Sequence, residues 1–363
     1  MADSWEHWVE YSSARIIAAG RWRTQTVRED KGEITNFATN DYLGLSQHEQ
    51  VRSAASSAIA RWGTGSGSSR LVSGTLSIHQ QLEEAIASWK SSEDAAVFPS
   101  GFLTNLGVMT TFGAEGVVVF SDELNHASII DGCRLAKGEV HVYRHRDMEH
   151  LESLLKQYTH RGSRSLVVSD LVFSMDGDVA PAHELMNICE RFDALLVIDE
   201  AHGLFQEVSY EIPTLRVGTL SKTLGSLGGF VAGPASYINF LRNVARSYIF
   251  TTALSPPDAA AALAAISLLR SEEGKSLLAK VRTNIDLLRA GWPSPIIPVL
   301  IGDEASALSI ARKLLERSML VPAIRPPSVP AGTSRLRVSL SASHTVNEVL
   351  TLRSSLAELN LPL

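Results

Sequence analysis

At 363 residues, with 45% hydrophobic and 20% charged side chains, the chain has an ordinary globular composition and room for a large domain plus a smaller one. Its formal net charge of −6 offers no basic footprint for nucleic acid or for an anionic membrane. The two cysteines, Cys133 and Cys189, are too far apart in sequence to make a metal-spaced pair, and they suit a reducing, cytoplasmic setting with buried thiols.

The first residues show no basic region followed by an apolar run, so no signal peptide is expected. No apolar stretch reaches the ~18 residues of a membrane span. The best candidate, residues 95–120, is interrupted by Pro99, Gly101, Asn105, Gly107, Gly113 and Glu115. A soluble protein is the expectation.

Residues 1–35 are polar and charged, with Trp5, Trp8 and Trp22 spaced through them, and predict an N-terminal helical arm. A large domain is expected over residues 36–255. Within it, the apolar runs 117–120, 165–173, 195–199, 215–219 and 230–232 predict buried strands. Residues 76–89 and 183–192 repeat apolar positions at helical spacing. This alternation predicts an α/β fold, a mostly parallel sheet with helices on both faces, which binds its ligands at the carboxyl ends of the strands. Residues 256–363 are expected to hold a connecting helical segment (258–288), a Pro-broken stretch (291–298) and a smaller α+β domain. In that tail, 305–317 reads as a helix and 335–340 as a strand. The glycine-rich run 63–70 follows no predicted strand and lacks the lysine of a phosphate-binding loop, so a nucleotide site is not expected there. The basic, histidine-rich residues 143–150 read as a solvated turn.

Three segments carry chemistry. An apolar strand delivers Asp199, and His202 follows in Asp199-Glu200-Ala201-His202-Gly203. This could be a turn acid with a surface histidine; a metal site lacks a third ligand at suitable spacing. The third reading pairs Asp199 with a protonated heteroaromatic nitrogen, whose pKa a neighbouring carboxylate raises. Further on, Thr219-Leu220-Ser221-Lys222 ends a strand in two hydroxyls and a lysine, with Gly225, Gly228 and Gly229 behind. A lysine there is either a solvated charge or, if desolvated, a nucleophilic amine beside a phosphate grip. Third, Ser100 can cap a helix whose free N–H groups start at Gly101 and Phe102, an arrangement that serves as a plain cap or as an anion site. His126 is either a satisfied core histidine or an imidazole stacked on a flat ring.

Taken in order, these segments resemble the α-oxoamine synthases, a family of fold-type-I pyridoxal-phosphate (PLP) enzymes. The resemblance spans Asn36 to Thr345 and rests on Asn40-Asp41-Tyr42-Leu43-Gly44, Ser73-Gly74, His79, Ser100-Gly101-Phe102, His126-Ala127-Ser128, Phe173-Ser174-Met175-Asp176-Gly177-Asp178, Asp199-Glu200-Ala201-His202-Gly203 and Thr219-Leu220-Ser221-Lys222. It implies that Lys222 holds PLP covalently, Asp199 binds the pyridine nitrogen and His126 stacks on the ring. Gly101, Phe102, Ser174, His202 and Thr219 would contact the cofactor, and Thr252 would reach the phosphate of a second subunit in a homodimer. Lys222, His126, Asp199 and His202 are the implied catalytic residues. Arg337 would bind an amino-acid carboxylate, with Asn40, Ser328 and an N-terminal arginine also on the substrate side. Arg21 is the choice for that arginine, with Arg15 and Arg23 close by.

The tail Ala323-Ile324-Arg325-Pro326-Pro327-Ser328 with Arg335-Leu336-Arg337 is similar to the branch that joins L-alanine to a pimeloyl thioester. Relatives using glycine or serine, an aminotransferase on the same fold, and a non-catalytic partner subunit are the rivals. Two departures stand out. Asp170 occupies a position usually held by glutamate, and the glycine-rich loop usual after Gly203 is missing. Residues 204–210 either leave the acyl entrance more open or pack over the same ground.

Overall fold

Runs of valine, leucine and isoleucine that cannot face water on either side assemble a seven-stranded sheet at the centre of the molecule. The architecture is taken from a computed structural model, which describes residues 4–25, 27, 34–159 and 163–361. In spatial order the strands are Asp94–Phe98, Gly229–Gly233, Thr214–Thr219, Ala194–Asp199, Arg164–Asp170, Val117–Asp122 and Glu139–Tyr143. Gly229–Gly233 runs antiparallel to both its neighbours, while the other pairings are parallel. The expected α/β fold with a mostly parallel sheet is therefore what forms. Helices cover both faces, with Ser77–Lys90 and Pro256–Leu269 on one and Gly101–Phe112 on the other.

Two strands escape the sequence pattern. Asp94–Phe98 lies in the broken apolar stretch, where the helix that follows at once blurs its end. Glu139–Tyr143 is an edge strand with exposed Glu139, Val140 and Val142, so it never shows a buried run. The stretch 258–288 is two helices, Pro256–Leu269 and Glu272–Leu288. Ser271 caps the second by accepting from the Gly274 N–H at 3.3 Å, and a Cβ on Gly274 would meet the Leu268 carbonyl at 2.4 Å. The turn at 143–150 is solvated only in part: Arg144, Arg146 and Glu149 are exposed. Tyr143 is fully buried, and His145 bridges Asp122 and Asp178 at 2.9 Å each. Burial pulls the His145 pKa down, but hydrogen bonds and charge from the two carboxylates outweigh it and raise it to about 9.

A second sheet is antiparallel, with Ser334–Ser339 between Ala323–Ile324 and Ile296–Gly302. Its first strand begins inside the Pro-broken stretch. Residues 37–42 are stitched to it: Ser339 N–H donates to the Phe37 carbonyl and Ala342 N–H to that of Tyr42, both at 2.8 Å. The N-terminal helix Trp5–Ala18 buries no side chain, and Trp5 is 80% exposed. Both cysteines are free and buried. No helix among the described residues is long and apolar enough to cross a membrane.

Parallel strands Ala194–Asp199 and Thr214–Thr219 are joined without a helix, which is uncommon for such a crossover. Residues 204–212 instead lie as a packed strap. Leu204 and Phe205 join one core cluster, while Val208, Tyr210 and Ile212 join another. Beneath it a cavity of about 830 Å³ borders Trp89, Lys90, Glu200 and Arg216. Glu200 accepts from Lys90 Nζ and Arg216 Nε, both at 2.7 Å. Burial would raise the Glu200 pKa, but the two cations hold it below the usual carboxylate range. Glu200→Ala leaves the buried Lys90 and the half-buried Arg216 without their partner, so a loss of about 3–5 kcal/mol is expected. Urea unfolding would measure it; an unchanged midpoint would contradict the buried-triad account.

Candidate active site

The site is built at the carboxyl ends of neighbouring strands, where the last hydrogen-bonded residues turn into loops. Asp199 closes its strand in register with Asp170 on one side and Val217 on the other. It is buried, and both its oxygens accept: Oδ2 from Asn105 Nδ2 at 2.7 Å, Oδ1 from the Ala201 N–H at 2.8 Å. Asn105 also donates to Ser128 Oγ at 2.9 Å, which leaves its own Oδ1 buried and unpartnered. His126 caps the helix Ala127–Leu135, and its Nδ1 lies 2.7 Å from Ser128 Oγ. The His126 N–H donates to Asp170 Oδ2 at 2.7 Å. Burial and the charge of Asp199 raise the Asp170 pKa well above the usual carboxylate value. Burial lowers the pKa of His126, against the pull of Asp199 and helped by Lys222. A neutral imidazole therefore stands beside Asp199.

Lys222 sits in the loop between Thr214–Thr219 and Gly229–Gly233. Three backbone bonds tie that loop together: Leu220 N–H to Gly228, Ser226 N–H to Leu220 and Gly225 N–H to Lys222, each 2.9 Å. Gly225 and Gly228 take positive φ, +60° and +121°, and a Cβ on Gly225 would meet the Ser46 nitrogen at 2.3 Å. Glycine is required there for the turn to close. No described residue hydrogen-bonds the Lys222 amine. Burial lowers its pKa below that of an ordinary lysine, and the nearby Asp199 and Asp170 only partly offset the effect. A lysine so placed yields a free amine more readily than one in water.

Beside it, Ser100 Oγ caps the helix Gly101–Phe112 by accepting from the Leu103 N–H at 3.2 Å. A Cβ on Gly101 would lie only 3.4 Å from Thr219 Cβ, and Thr219 Oγ1 is 2.8 Å from Ser221 Oγ. The N–H groups of Gly101 and Phe102 thus open beside two hydroxyls.

From the smaller sheet comes Arg337. Its Nε donates to the Ser174 carbonyl, Nη1 to Ser339 Oγ at 2.8 Å and Nη2 to Asn40 Oδ1 at 3.1 Å. Tyr42 Oη lies 3.2 Å from that same Asn40 oxygen and 2.6 Å from His202 Nδ1. His202 is buried, and burial together with Lys222, Arg337 and His126 holds its pKa well below the usual value.

The structure brings Lys222, Asp199, His126 and His202 together, with Gly101, Phe102 and Thr219 at one rim and Arg337, Asn40 and Ser174 at another. Other expected residues lie apart. Thr252 is exposed, its backbone bridges to Ser69, and no contact among the described residues joins it to this cluster. Arg21 is paired with Glu304 at 3.1 Å; Arg23 is the arginine that reaches Ser328 Oγ, also at 3.1 Å. Asn105, Asp170 and Tyr42 have places in the site that sequence reading did not assign. Asn105 could have been found, since it lies one helical turn from Gly101 on the same face.

A nucleophilic amine, an isolated buried carboxylate, two neutral imidazoles and an anion-accepting helix end together suit amine chemistry on a phosphate-bearing ring. A sequence profile of aminotransferase class I and II matches residues 32–356. The chain belongs to that family, as one of its α-oxoamine synthases. It is 43% identical to the 8-amino-7-oxononanoate synthase of Geobacter sulfurreducens, over 93% of this chain and 91% of that one. It is 45% identical to the enzyme of that name from Anaeromyxobacter dehalogenans, over 87% and 84%. Among solved structures, serine palmitoyltransferase from S. paucimobilis with a bound PLP–myriocin adduct superposes with a TM-score of 0.89 at 28% identity, covering 97% of each chain. The 8-amino-7-oxononanoate synthase of Francisella tularensis gives 0.75 at 26% identity, over 90% and 98%.

Proposed function

We infer that this α-oxoamine synthase is an 8-amino-7-oxononanoate synthase, a PLP enzyme of biotin biosynthesis. It joins L-alanine to a pimeloyl thioester, on coenzyme A or acyl carrier protein, and releases the thiol and carbon dioxide. The names and 40–45% identity of its relatives support the reaction. The observation that carries it to these residues is the unpartnered, desolvated Lys222 amine beside the buried Asp199.

The residues fit the cofactor. The close approach of Gly101 to Thr219 makes a cradle that a side chain would fill, and the helix N-terminus there accepts a phosphate. Among the described residues Asp199 Oδ2 meets one donor, the Asn105 amide, which leaves it room to face a ring nitrogen. When bound, PLP supplies an aldehyde for an amine to capture and a ring that takes up the electron pair left at Cα. Lys222 would hold the cofactor through its amine, and the same amine, when free, would be placed to take up the Cα proton. Asp199 would face the ring nitrogen. His126 and His202 would lie against the bound cofactor, with Ser174, whose carbonyl accepts from Arg337, beside them. Arg337 has five N–H donors and uses three on Ser174, Ser339 and Asn40; the remaining two can take a carboxylate. Ser328, with Arg23 rather than Arg21 against it, faces the acyl substrate. Leu71, Val72, Phe102, Leu227 and Phe250 are exposed apolar side chains on segments that carry or adjoin the cofactor residues. A homodimer that covers them, with Thr252 serving the partner's phosphate, completes the proposal. The free thiols are in keeping with the cytoplasm as its location.

Assaying alanine, glycine and serine against pimeloyl-CoA tests the reading, and turnover is expected with alanine. Arg337→Ala should weaken alanine binding by on the order of 10–100-fold, since charge-assisted hydrogen bonds contribute about 1.5–3 kcal/mol. Arg337→Lys should restore only part, because an ammonium lacks the two-pronged geometry. Pimeloyl-CoA binding should change little. Preference for glycine or serine would overturn the alanine assignment, and equal effects on both substrates would remove Arg337 from the carboxylate site.

A further inference from the structure

Two residues in the Asn40-Asp41-Tyr42 motif form a bridge between the two halves of the site. Tyr42 is fully buried, so its hydroxyl proton must go to a neighbour. Two acceptors are in range, His202 Nδ1 at 2.6 Å and Asn40 Oδ1 at 3.2 Å. Asn40 Oδ1 already accepts from Arg337 Nη2 at 3.1 Å, which fixes the amide with its oxygen toward the phenol. The 2.6 Å contact is made whichever partner donates, so charge decides the direction: Arg337 grips Asn40, and its guanidinium turns the positive end of the O–H dipole away from itself and toward the imidazole. The other ring nitrogen of His202, Nε2, takes no hydrogen-bond partner among the described residues. Burial, with Lys222, Arg337 and His126 close by, keeps the ring neutral, so it has one proton to place.

We propose that Tyr42 is the positioning residue for His202: its hydroxyl donates to Nδ1, so the single imidazole proton sits on Nε2 and His202 is a hydrogen-bond donor into the site, not a base. The functional consequence rests on the synthase reading above; the tautomer does not. With Nε2 protonated, His202 can stabilise an oxygen that gains negative charge during the condensation, and proton removal is left to Lys222. The chain Arg337–Asn40–Tyr42–His202 also ties that donor to the arginine that holds the amino-acid carboxylate.

The tautomer is read directly from long-range ¹H–¹⁵N correlation spectra of the PLP-free protein labelled with ¹⁵N-histidine, with the His202 signals assigned by their loss in His202→Asn. The expected pattern is a protonated Nε2 and a bare Nδ1 that shows hydrogen bonding. In Tyr42→Phe, which keeps the ring volume, the Nδ1 shift should move toward that of an unbonded nitrogen and the two tautomers should mix. The same variant should lose about tenfold in kcat with KM for alanine within about twofold, the scale of one hydrogen bond to a developing charge. Circular dichroism and the melting temperature report whether it folds. A wild-type signal with the proton on Nδ1 overturns the proposal without needing any variant, and so does a Tyr42→Phe spectrum identical to wild type. Failure of the alanine and pimeloyl-CoA assay would instead overturn the synthase reading and leave the tautomer result standing.

Discussion

Lys222→Ala is expected to abolish covalent attachment of PLP and turnover together. The Lys222 amine has no hydrogen-bond partner among the described residues, and burial lowers its pKa. It is therefore available as a nucleophile at lower pH than an ordinary lysine. Lys90 is buried beside the large sheet, and Glu200 holds it at 2.7 Å. Burial lowers its pKa too, but Glu200 acts against that shift, so Lys90 offers no substitute amine at the cofactor position. The loss should exceed any single hydrogen-bond deletion, because Lys222 carries two roles, attachment and removal of the Cα proton. Borohydride reduction of the PLP-loaded protein, followed by peptide mapping, checks the first role. Label should appear on the peptide containing Lys222 in wild type and nowhere in the variant. Label on any other lysine would reject the assignment. The fold should survive, since the loop is closed by backbone bonds and by Gly225 and Gly228, not by the lysine side chain.

The sheet and the residues at its carboxyl ends were legible in the sequence for a physical reason. Strands such as Ala194–Asp199 are buried on both faces and read as unbroken apolar runs, and the first polar residue after each run marks where the loop begins. Asp199 follows that rule, while His126 and Lys222 lie three or four residues further on, in the loops their strands lead into. Residues whose role depends on contacts between distant segments were not legible. Tyr42 meets His202 only because residues 37–42 are pinned to the smaller sheet, and Arg337 reaches Asn40 across almost the whole chain. Arg23 and Arg21 show the same limit. They are two positions apart, and what separates them is that Glu304 lies within reach of one and Ser328 within reach of the other. The strap at 204–212 was ambiguous for a different reason. Its first apolar residues, Leu204 and Phe205, pack on one core and the next, Val208, Tyr210 and Ile212, on another, so no single period runs through it and it forms no helix or strand.

Asp199→Asn is expected to keep the fold and lose most of the rate. The substituted amide can still accept the Ala201 N–H through its oxygen, as Asp199 Oδ1 does at 2.8 Å. Its new NH2 would then face the Asn105 Nδ2 group, donor against donor. Asn105 has a buried Oδ1 with no partner, so turning its amide over presents an acceptor instead. Packing therefore tolerates the change. The charge does not survive it: a neutral amide cannot favour a protonated ring nitrogen as a carboxylate does. Without that proton the ring accepts electrons poorly, and the penalty falls on the transition state for losing the Cα proton. Removing one preorganised electrostatic partner typically costs about 10²–10³-fold, roughly 2.7–4 kcal/mol, and at least this much is expected here. Exchange of alanine's Cα proton with deuterated water, followed without any acyl thioester, isolates the step. The Asp170 carboxyl beside it could mask the loss by ionising once the neighbouring charge is gone, because that charge helps raise its pKa. The double variant Asp170→Asn/Asp199→Asn separates these cases. If Asp170 compensates, the single variant exchanges faster than the double one. Near-normal exchange in both would show that the ring needs no carboxylate in this protein.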